Sequence, residues 1–168
     1  GGLMLRHFIS YYKPHKTLFA LDMFFAFTMA GIDLIFPMYS RAFINDYIPS
    51  GQLNTMVLTS IIILALYLIK VGCNYFVGYW GHVLGSRIEF DMRRDLFTHM
   101  QTLELSFFDN NKTGQLMNRL TGDLNEVTEL AHHGPEDLFV SSIMLIGSFI
   151  LLFQINWLLT LIIFFFVF

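Results

Sequence analysis

The feature that most constrains this chain is a charged segment, residues 93–123, that lies between long apolar runs. Each charged side chain at the centre of a bilayer costs roughly 2.5–3.5 kcal/mol or more, so lipid cannot hold this segment. It is also longer and more patterned than a simple connection between two membrane helices. We therefore predict that membrane helices continue out of the lipid into the cytoplasm, turn there, and return.

Composition agrees with a membrane protein rather than a soluble domain. Apolar residues make up 55% of the chain and charged residues 14%, whereas a soluble domain is about one quarter charged. The net charge of −3 argues against a nucleic-acid partner, which needs a basic face. The single cysteine, Cys73, excludes a disulfide within the chain and a structural cysteine–zinc site.

Hydrophobic periodicity predicts an all-α membrane protein whose long transmembrane helices extend into the cytoplasm. An amphipathic helix that ends at Pro14 suits the membrane interface, and the last apolar run is too short to span, so we expect the chain to stop inside its fourth membrane helix. Pro49 and Gly51 predict an external loop over residues 45–54. The predicted elements are an interfacial helix at 3–13, a first span at 17–44, a second span with a cytoplasmic extension at 55–105, an intracellular region at 107–119, a third span at 121–155 and the start of a fourth at 158–168.

The distribution of basic residues predicts the orientation. Lys and Arg flank the first span at its N-terminal side and recur beyond the second span, whereas residues 45–54 contain neither. Cytoplasmic loops carry an excess of Lys and Arg. The N-terminus and residues 93–123 are therefore predicted to be cytoplasmic, in an integral membrane protein that we expect in the plasma membrane.

The order of residues in the charged segment resembles a known family. Phe107-Phe108-Asp109 is followed by Thr113-Gly114-Gln115-Leu116, then by Arg119-Leu120-Thr121 and Asp123. This order is similar to the first intracellular loop of ATP-binding cassette (ABC) exporters, and Ile35-Phe36-Pro37 followed by Ile44-Asn45-Asp46 resembles the end of that family's first span.

The resemblance implies a role for each part of the chain. Residues 3–13 correspond to the elbow helix, and the intracellular loop would hold a coupling helix that docks on a nucleotide-binding domain. ATP and Mg²⁺ would bind in that domain, which this chain lacks, so the fragment by itself should neither hydrolyse ATP nor transport. The implied partners are the nucleotide-binding domain, a second transporter half in a homodimer or heterodimer, and membrane lipid. The residues implied in coupling are Phe107, Phe108, Asp109, Thr113, Gly114, Gln115, Leu116, Arg119 and Asp123.

Five polar residues inside the predicted spans are candidates for a translocation cavity, since intramembrane polar groups are functional by default. They are Asp22, Asp33, Tyr67, Lys70 and Asn74. Counting about 1.5 Å per residue from the predicted external loop places Lys70 at nearly the depth of Asp22 and much deeper than Asp33. We therefore predict a Lys70–Asp22 ion pair. It either lines the cavity or only fixes helix packing, and the sequence favours neither.

No catalytic or metal-ligating constellation is predicted. The chain contains no G-x-x-x-x-G-K-[S/T] pattern, so it offers no phosphate-binding loop. His132 and His133 with Glu129 and Glu136 suggest a metal site, but adjacent helical residues point about 100° apart. Only one of the two histidines can then lie on the same helix face as a given glutamate. His82 has no partner at a metal-binding spacing along the chain. The alternative function is a membrane scaffold whose cytoplasmic loop recruits some other partner.

Several smaller signals concern helix packing. Gly78, Gly81 and Gly85 predict a close helix approach, and Gly134-Pro135 predicts a break or kink in the third long helix. Other local predictions are side-chain capping of the following short helix by Asp109, Asn110 and Asn111 and a brace between Arg119 and Asp123. The spacing also allows ion pairs Glu89–Arg93 and Arg87–Asp91, although for most of these charges it favours a solvated helix face.

Overall fold

The computed structural model describes residues 2–167, which are almost entirely helical and contain no strand. The helices are α1 (Gly2–Ser10), α2 (Lys16–Ala42), α3 (Leu53–Gln101), α4 (Leu105–Asn110), α5 (Thr113–Asn118), α6 (Leu124–Ile155) and α7 (Trp157–Val167). A 3-10 turn at Lys13–His15 lies between α1 and α2. A π segment at Arg119–Asp123 links α5 to α6 without a break in the helical backbone.

Three continuous helical segments are long and apolar enough to cross a membrane by length and composition: Gly2–Ser50, Leu53–Gln101 and Thr113–Ile155. The 49 residues of α3 extend about 74 Å at 1.5 Å per residue. A hydrocarbon core is about 30 Å thick, so more than half of α3 lies outside it. These features confirm the predicted all-α membrane class. The fourth apolar helix, α7, is shorter.

The predicted loop over residues 45–54 is wrong in extent. After α2 the chain continues through a π turn at Phe43–Tyr47 and a last turn at Ile48–Ser50. Pro49 lies in that last turn, directly after the π segment. Gly51, with φ +65°, adopts the left-handed conformation that ends the helix, and α3 begins two residues later.

The helix boundaries between residues 101 and 124 also differ from the prediction. Helix α3 ends at Gln101 rather than near residue 105, and the region predicted at 107–119 contains most of α4 and all of α5. The backbone leaves the helical region at Glu104 and Asn111. A π segment at Arg119–Asp123 joins α5 to α6, so the third long helix begins at residue 113.

The chain divides into two compact units. The first contains the residues up to Met23 together with Val77–Glu136, and the second contains Phe24–Phe76 together with the residues from Asp137 onward. In the first unit, Leu84, Ile88 and Ala131 form a buried cluster. Its outer layer is partly buried and includes Phe8, Tyr11, Tyr12, Leu18, Phe19 and Met92. Helix α1 is therefore packed on α3 and α6 by one face.

Helix α6 is continuous through Pro135, so of the predicted break or kink the break does not occur, and the kink stays a prediction. Proline has no N–H, so the carbonyl of Ala131, four residues earlier, loses its usual helical donor. The hydroxyl of Tyr12 donates a hydrogen bond to that carbonyl. A side chain from the α1 end of the chain thus replaces the missing donor.

Candidate functional site

The two short helices α4 and α5 connect the end of α3 to the segment that leads into α6. The rings of Phe107 and Phe108 pack edge to face, with centroids 5.6 Å apart at 88°, and both side chains are half-buried. Leu105, at the start of α4, is 82% exposed.

The amides next to the aromatic pair stabilise α4 rather than α5. The Asn110 side chain donates to the carbonyl of Ser106 at 2.9 Å, and that of Asn111 donates to the carbonyl of Phe107 at 2.8 Å. The N-cap of α5 is Lys112, whose side chain makes no cap hydrogen bond. The predicted capping of the following helix is therefore wrong. These amides instead satisfy carbonyls at the C-terminal end of α4.

Several polar candidates of residues 107–123 lie together on α5 and the π segment. Gly114, Gln115, Arg119 and Asp123 line one surface recess together with Asn118. Thr113 and Asp109 are exposed, and Leu116 is half-buried. Among residues 2–167 no ion pair joins Arg119 to Asp123, so the predicted brace is absent.

A different contact holds the returning helix, and sequence reasoning missed it. Arg93 Nε on α3 donates to the carbonyl of Leu120 at 3.1 Å, and the same guanidinium forms the predicted ion pair with Glu89. The carbonyl lies in the π segment, where regular i−4 hydrogen bonding is interrupted. Arg93 therefore ties the C-terminal half of α3 to the π segment that leads into α6. A helical pattern alone does not show which carbonyl a long side chain reaches.

Inside the second unit, Lys70 forms an ion pair with Asp33. Lys70 Nζ also lies 5.6 Å from the ring centroid of Tyr67, within cation–π range. That ring in turn contacts Phe36 edge to face at 5.8 Å. Three of the five intramembrane candidates thus form one cluster, and Asn74 is exposed on α3.

The predicted Lys70–Asp22 pair is wrong, and the cause is the position of the turn at Gly51 and Gln52. Asp33 lies 18 residues before Gly51, and Lys70 lies 18 residues after Gln52. Because the helices on both sides continue to this tight turn, the two residues lie about 27 Å from it at 1.5 Å per residue. The prediction counted residues from the two ends of a longer loop, so it placed Asp33 and Lys70 at different depths.

Asp22 belongs to the first unit, where it is 1% exposed. A carboxylate oxygen of Asp22 lies within 4.8 Å of ligand atoms of His132 and Glu136. Beside them, the ring of His132 lies against Gly81. Gly81 and Gly85 therefore confirm the predicted close helix approach, whereas a Cβ at Gly78 would meet nothing within 4 Å.

A second long-range pair was also missed. His15 Nε2 lies 2.8 Å from Asp91 Oδ2, and Arg94 approaches the other oxygen of this carboxylate at 3.6 Å. The predicted Arg87–Asp91 pair does not occur in the described part of the chain. Spacing along one helix cannot show that another helix supplies a competing partner.

Comparison with known proteins supplies the family. Residues 19–168 match the family model described as ABC transporter transmembrane region. The uncharacterized ABC transporter ATP-binding protein YwjA of Bacillus subtilis is 48% identical over 161 residues, which cover 96% of this chain and 28% of that protein.

Two further relatives have names that state an activity. An ATP-dependent lipid A-core flippase of Syntrophus aciditrophicus is 28% identical, over 86% of this chain and 24% of that protein. A protein of the same name from Idiomarina loihiensis is 24% identical, over 94% of this chain and 27% of that protein. The chain thus spans about a quarter of the length of these curated relatives.

Proposed function

This chain belongs to the family of ABC transporter transmembrane regions, and we propose that it forms part of the translocation path of an ATP-driven exporter and couples to a nucleotide-binding domain through residues 107–123. ATP and Mg²⁺ would bind in that domain. A second transporter half, identical or related, would complete the path. We further propose that the protein lies in the plasma membrane with its N-terminus in the cytoplasm.

The observation that carries the coupling proposal is the apolar surface around α4. Leu105 is largely exposed, and the Phe107–Phe108 pair beside it is only half-buried. Water makes such a surface unfavourable, at about 25 cal/mol per Å² of apolar area. A docking domain that covers it would gain this energy, and aromatic anchors dominate the energetics of many interfaces.

Motion at the dock would reach the membrane through continuous helices. Helix α3 is continuous from residue 53 to 101. On the other side of the loop, α5, the π segment and α6 form one continuous helical segment from residue 113 to 155. The Arg93–Leu120 hydrogen bond holds the two helices together near α5. When ATP draws two nucleotide-binding domains together, both helices would therefore move as one lever.

The Asp33–Lys70 cluster is proposed to border the translocation path. The two side chains remain 37% and 29% exposed, and facing lipid would cost several kcal/mol for such charges. An assembled transporter would place them against the path or the second half. The flippase names of two relatives favour an amphipathic lipid as the first substrate to test.

The coupling proposal is tested by Phe107→Ala and Phe108→Ala in the full-length protein that carries these residues. Truncating an aromatic anchor typically costs 2 kcal/mol or more, so the dock should weaken at least roughly thirtyfold. We expect loss of flipping of a fluorescent phospholipid in proteoliposomes and loss of lipid-stimulated ATPase activity, with ATP binding retained.

Phe24→Ala is the matched control, because it removes an exposed aromatic side chain from α2, away from the intracellular loop. It should preserve both activities. If both loop variants flip lipid and respond to it like the unmodified protein, residues 107–123 do not couple and the scaffold interpretation gains. If the unmodified protein flips neither this lipid nor a membrane-permeant dye, the exporter proposal itself fails.

A further inference from the structure

Three histidines from two helices meet in the first unit. The rings of His132 and His133 on α6 have centroids 4.4 Å apart, and that of His82 on α3 lies 5.1 Å from His132 and 6.0 Å from His133. One ring nitrogen of each lies within 4.8 Å of those of the other two. On α6 alone the adjacent histidines share no face, but His82 faces both rings across the helix interface.

Two carboxylates lie behind this histidine cluster. Glu136 Oε2 is 4.0 Å from His132 Nδ1, and a carboxylate oxygen of Asp22 is within 4.8 Å of a ring nitrogen of His132. Asp22 Oδ1 is buried and has no hydrogen-bond partner among the described residues. Burying a carboxylate oxygen unsatisfied is costly, and a nearby cation would offset that cost.

We propose that His82, His132 and His133 bind one divalent transition-metal ion of the zinc class, with Asp22 and Glu136 as outer carboxylates. Imidazole nitrogen is a preferred ligand of Zn²⁺, at about 2.0–2.1 Å. Two ligands of a tetrahedral ion are then roughly 3.4 Å apart, so modest side-chain rotations close the present spacing. Three neutral imidazoles leave the ion's charge uncompensated, and the two carboxylates supply the opposite charge.

The surroundings fit this division of roles. Metal-binding histidines commonly use their second nitrogen to contact a carboxylate, which fixes the ring, and Glu136 stands beside Nδ1 of His132. A Cβ at Gly81 would lie 1.9 Å from Cε1 of His132, so only glycine leaves room for this ring. His82 and His133 are exposed, which gives an ion a way in and leaves a fourth position for water.

Metal titration of the purified full-length protein tests the site, with an affinity tag that contains no histidine. Co²⁺ is the probe, because its visible absorption reports tetrahedral coordination, and Zn²⁺ should displace it. We expect one ion per chain and a higher Tm with Zn²⁺, since a ligand that binds only the folded state stabilises it. His82→Ala and His133→Ala should each weaken binding by at least the ~10–100-fold that loss of an outer partner costs.

His99→Ala is the matched control, because this histidine lies in the last turn of α3 outside the cluster, and this variant should bind the ion like the unmodified protein. Equal binding by all variants, or no saturable binding, would overturn the proposal. If Asp22→Asn abolishes binding while His82→Ala and His133→Ala retain it, the ion sits on Asp22, His132 and Glu136 and the three-imidazole site is wrong. None of these readouts depends on transport or ATP, so they stand apart from the exporter proposal.

Discussion

At the level of single residues, one pair of opposite charges inside the membrane helices meets because both residues lie at the same depth. Asp33 and Lys70 stand equally far from the Gly51–Gln52 turn and meet across α2 and α3. Tyr67 adds a ring within 5.6 Å of the ammonium group. An isolated charge at this position would face hydrocarbon, which costs free energy. Each member of the pair offsets this cost for the other.

A double-mutant cycle with Asp33→Asn and Lys70→Met should therefore show coupling. Solvent screening of partly exposed groups lowers the energy of such a pair, and we expect an interaction of about 0.5–1 kcal/mol. The measurement is thermal unfolding of the purified protein in detergent. The matched cycle, Asp22→Asn with Lys70→Met, should be additive; additivity in the first cycle would disprove the pairing.

Two glycines on one face of α3 provide an internally controlled packing test. Gly81→Ala places a Cβ against the buried ring of His132, and overpacking of this kind costs typically 1–3 kcal/mol. Gly78→Ala meets open space, and alanine is favoured over glycine in a helix by roughly 0.5–1 kcal/mol. Tm should fall for the first variant and stay or rise for the second; equal shifts would show that α6 does not approach α3 at Gly81.

At the level of elements, one hydrogen bond links the chain just after α1 to α6 at the position where Pro135 removes a helical donor. Pro135 deprives the carbonyl of Ala131 of its helical donor, and the Tyr12 hydroxyl takes that place. His15–Asp91 and Tyr11–Asp95 add contacts from the same region to α3. The amphipathic pattern predicts that α1 exists but not that it repairs another helix.

Tyr12→Phe should lower the free energy of unfolding by about 1–3 kcal/mol, because it leaves a buried carbonyl without a donor. In a Pro135→Ala background the backbone N–H returns, and the same substitution should cost clearly less. Tyr11→Phe, which removes a more exposed hydrogen bond, should stay within about 0.5 kcal/mol. Thermal unfolding of the four variants measures this; an unchanged Tyr12→Phe cost in the alanine background would refute the repair.

At the level of the whole molecule, the orientation remains a prediction from the basic residues. In a Cys73→Ala background, cysteine placed at Ser50 should react with an impermeant thiol reagent added outside sealed cells. Cysteine at Asn110 should react only after the membrane is opened, because the positive-inside rule places that end in the cytoplasm. Both positions are exposed, so accessibility differs only by side. Labelling of Asn110→Cys from outside would reverse the topology.

The sequence by itself determined the membrane class, the long helices and the family, because these follow from hydrophobic runs, charge placement and the ordered residues around Phe107 to Asp123. It also predicted Glu89–Arg93, whose partners are four residues apart on one helix. Contacts of this kind can be predicted from the spacing of residues along one helix.

Only the tertiary structure decided which distant residues meet. Lys70 pairs with Asp33 rather than with the predicted Asp22, because the turn between the two helices is shorter than predicted. An error of a few residues in such a turn changes the predicted depth of a side chain by a whole helical turn. The same holds for Tyr12 at Ala131 and for His82 beside His132 and His133. Each contact joins separate helices, and helix periodicity fixes the face of a residue but not the neighbour that packs against it.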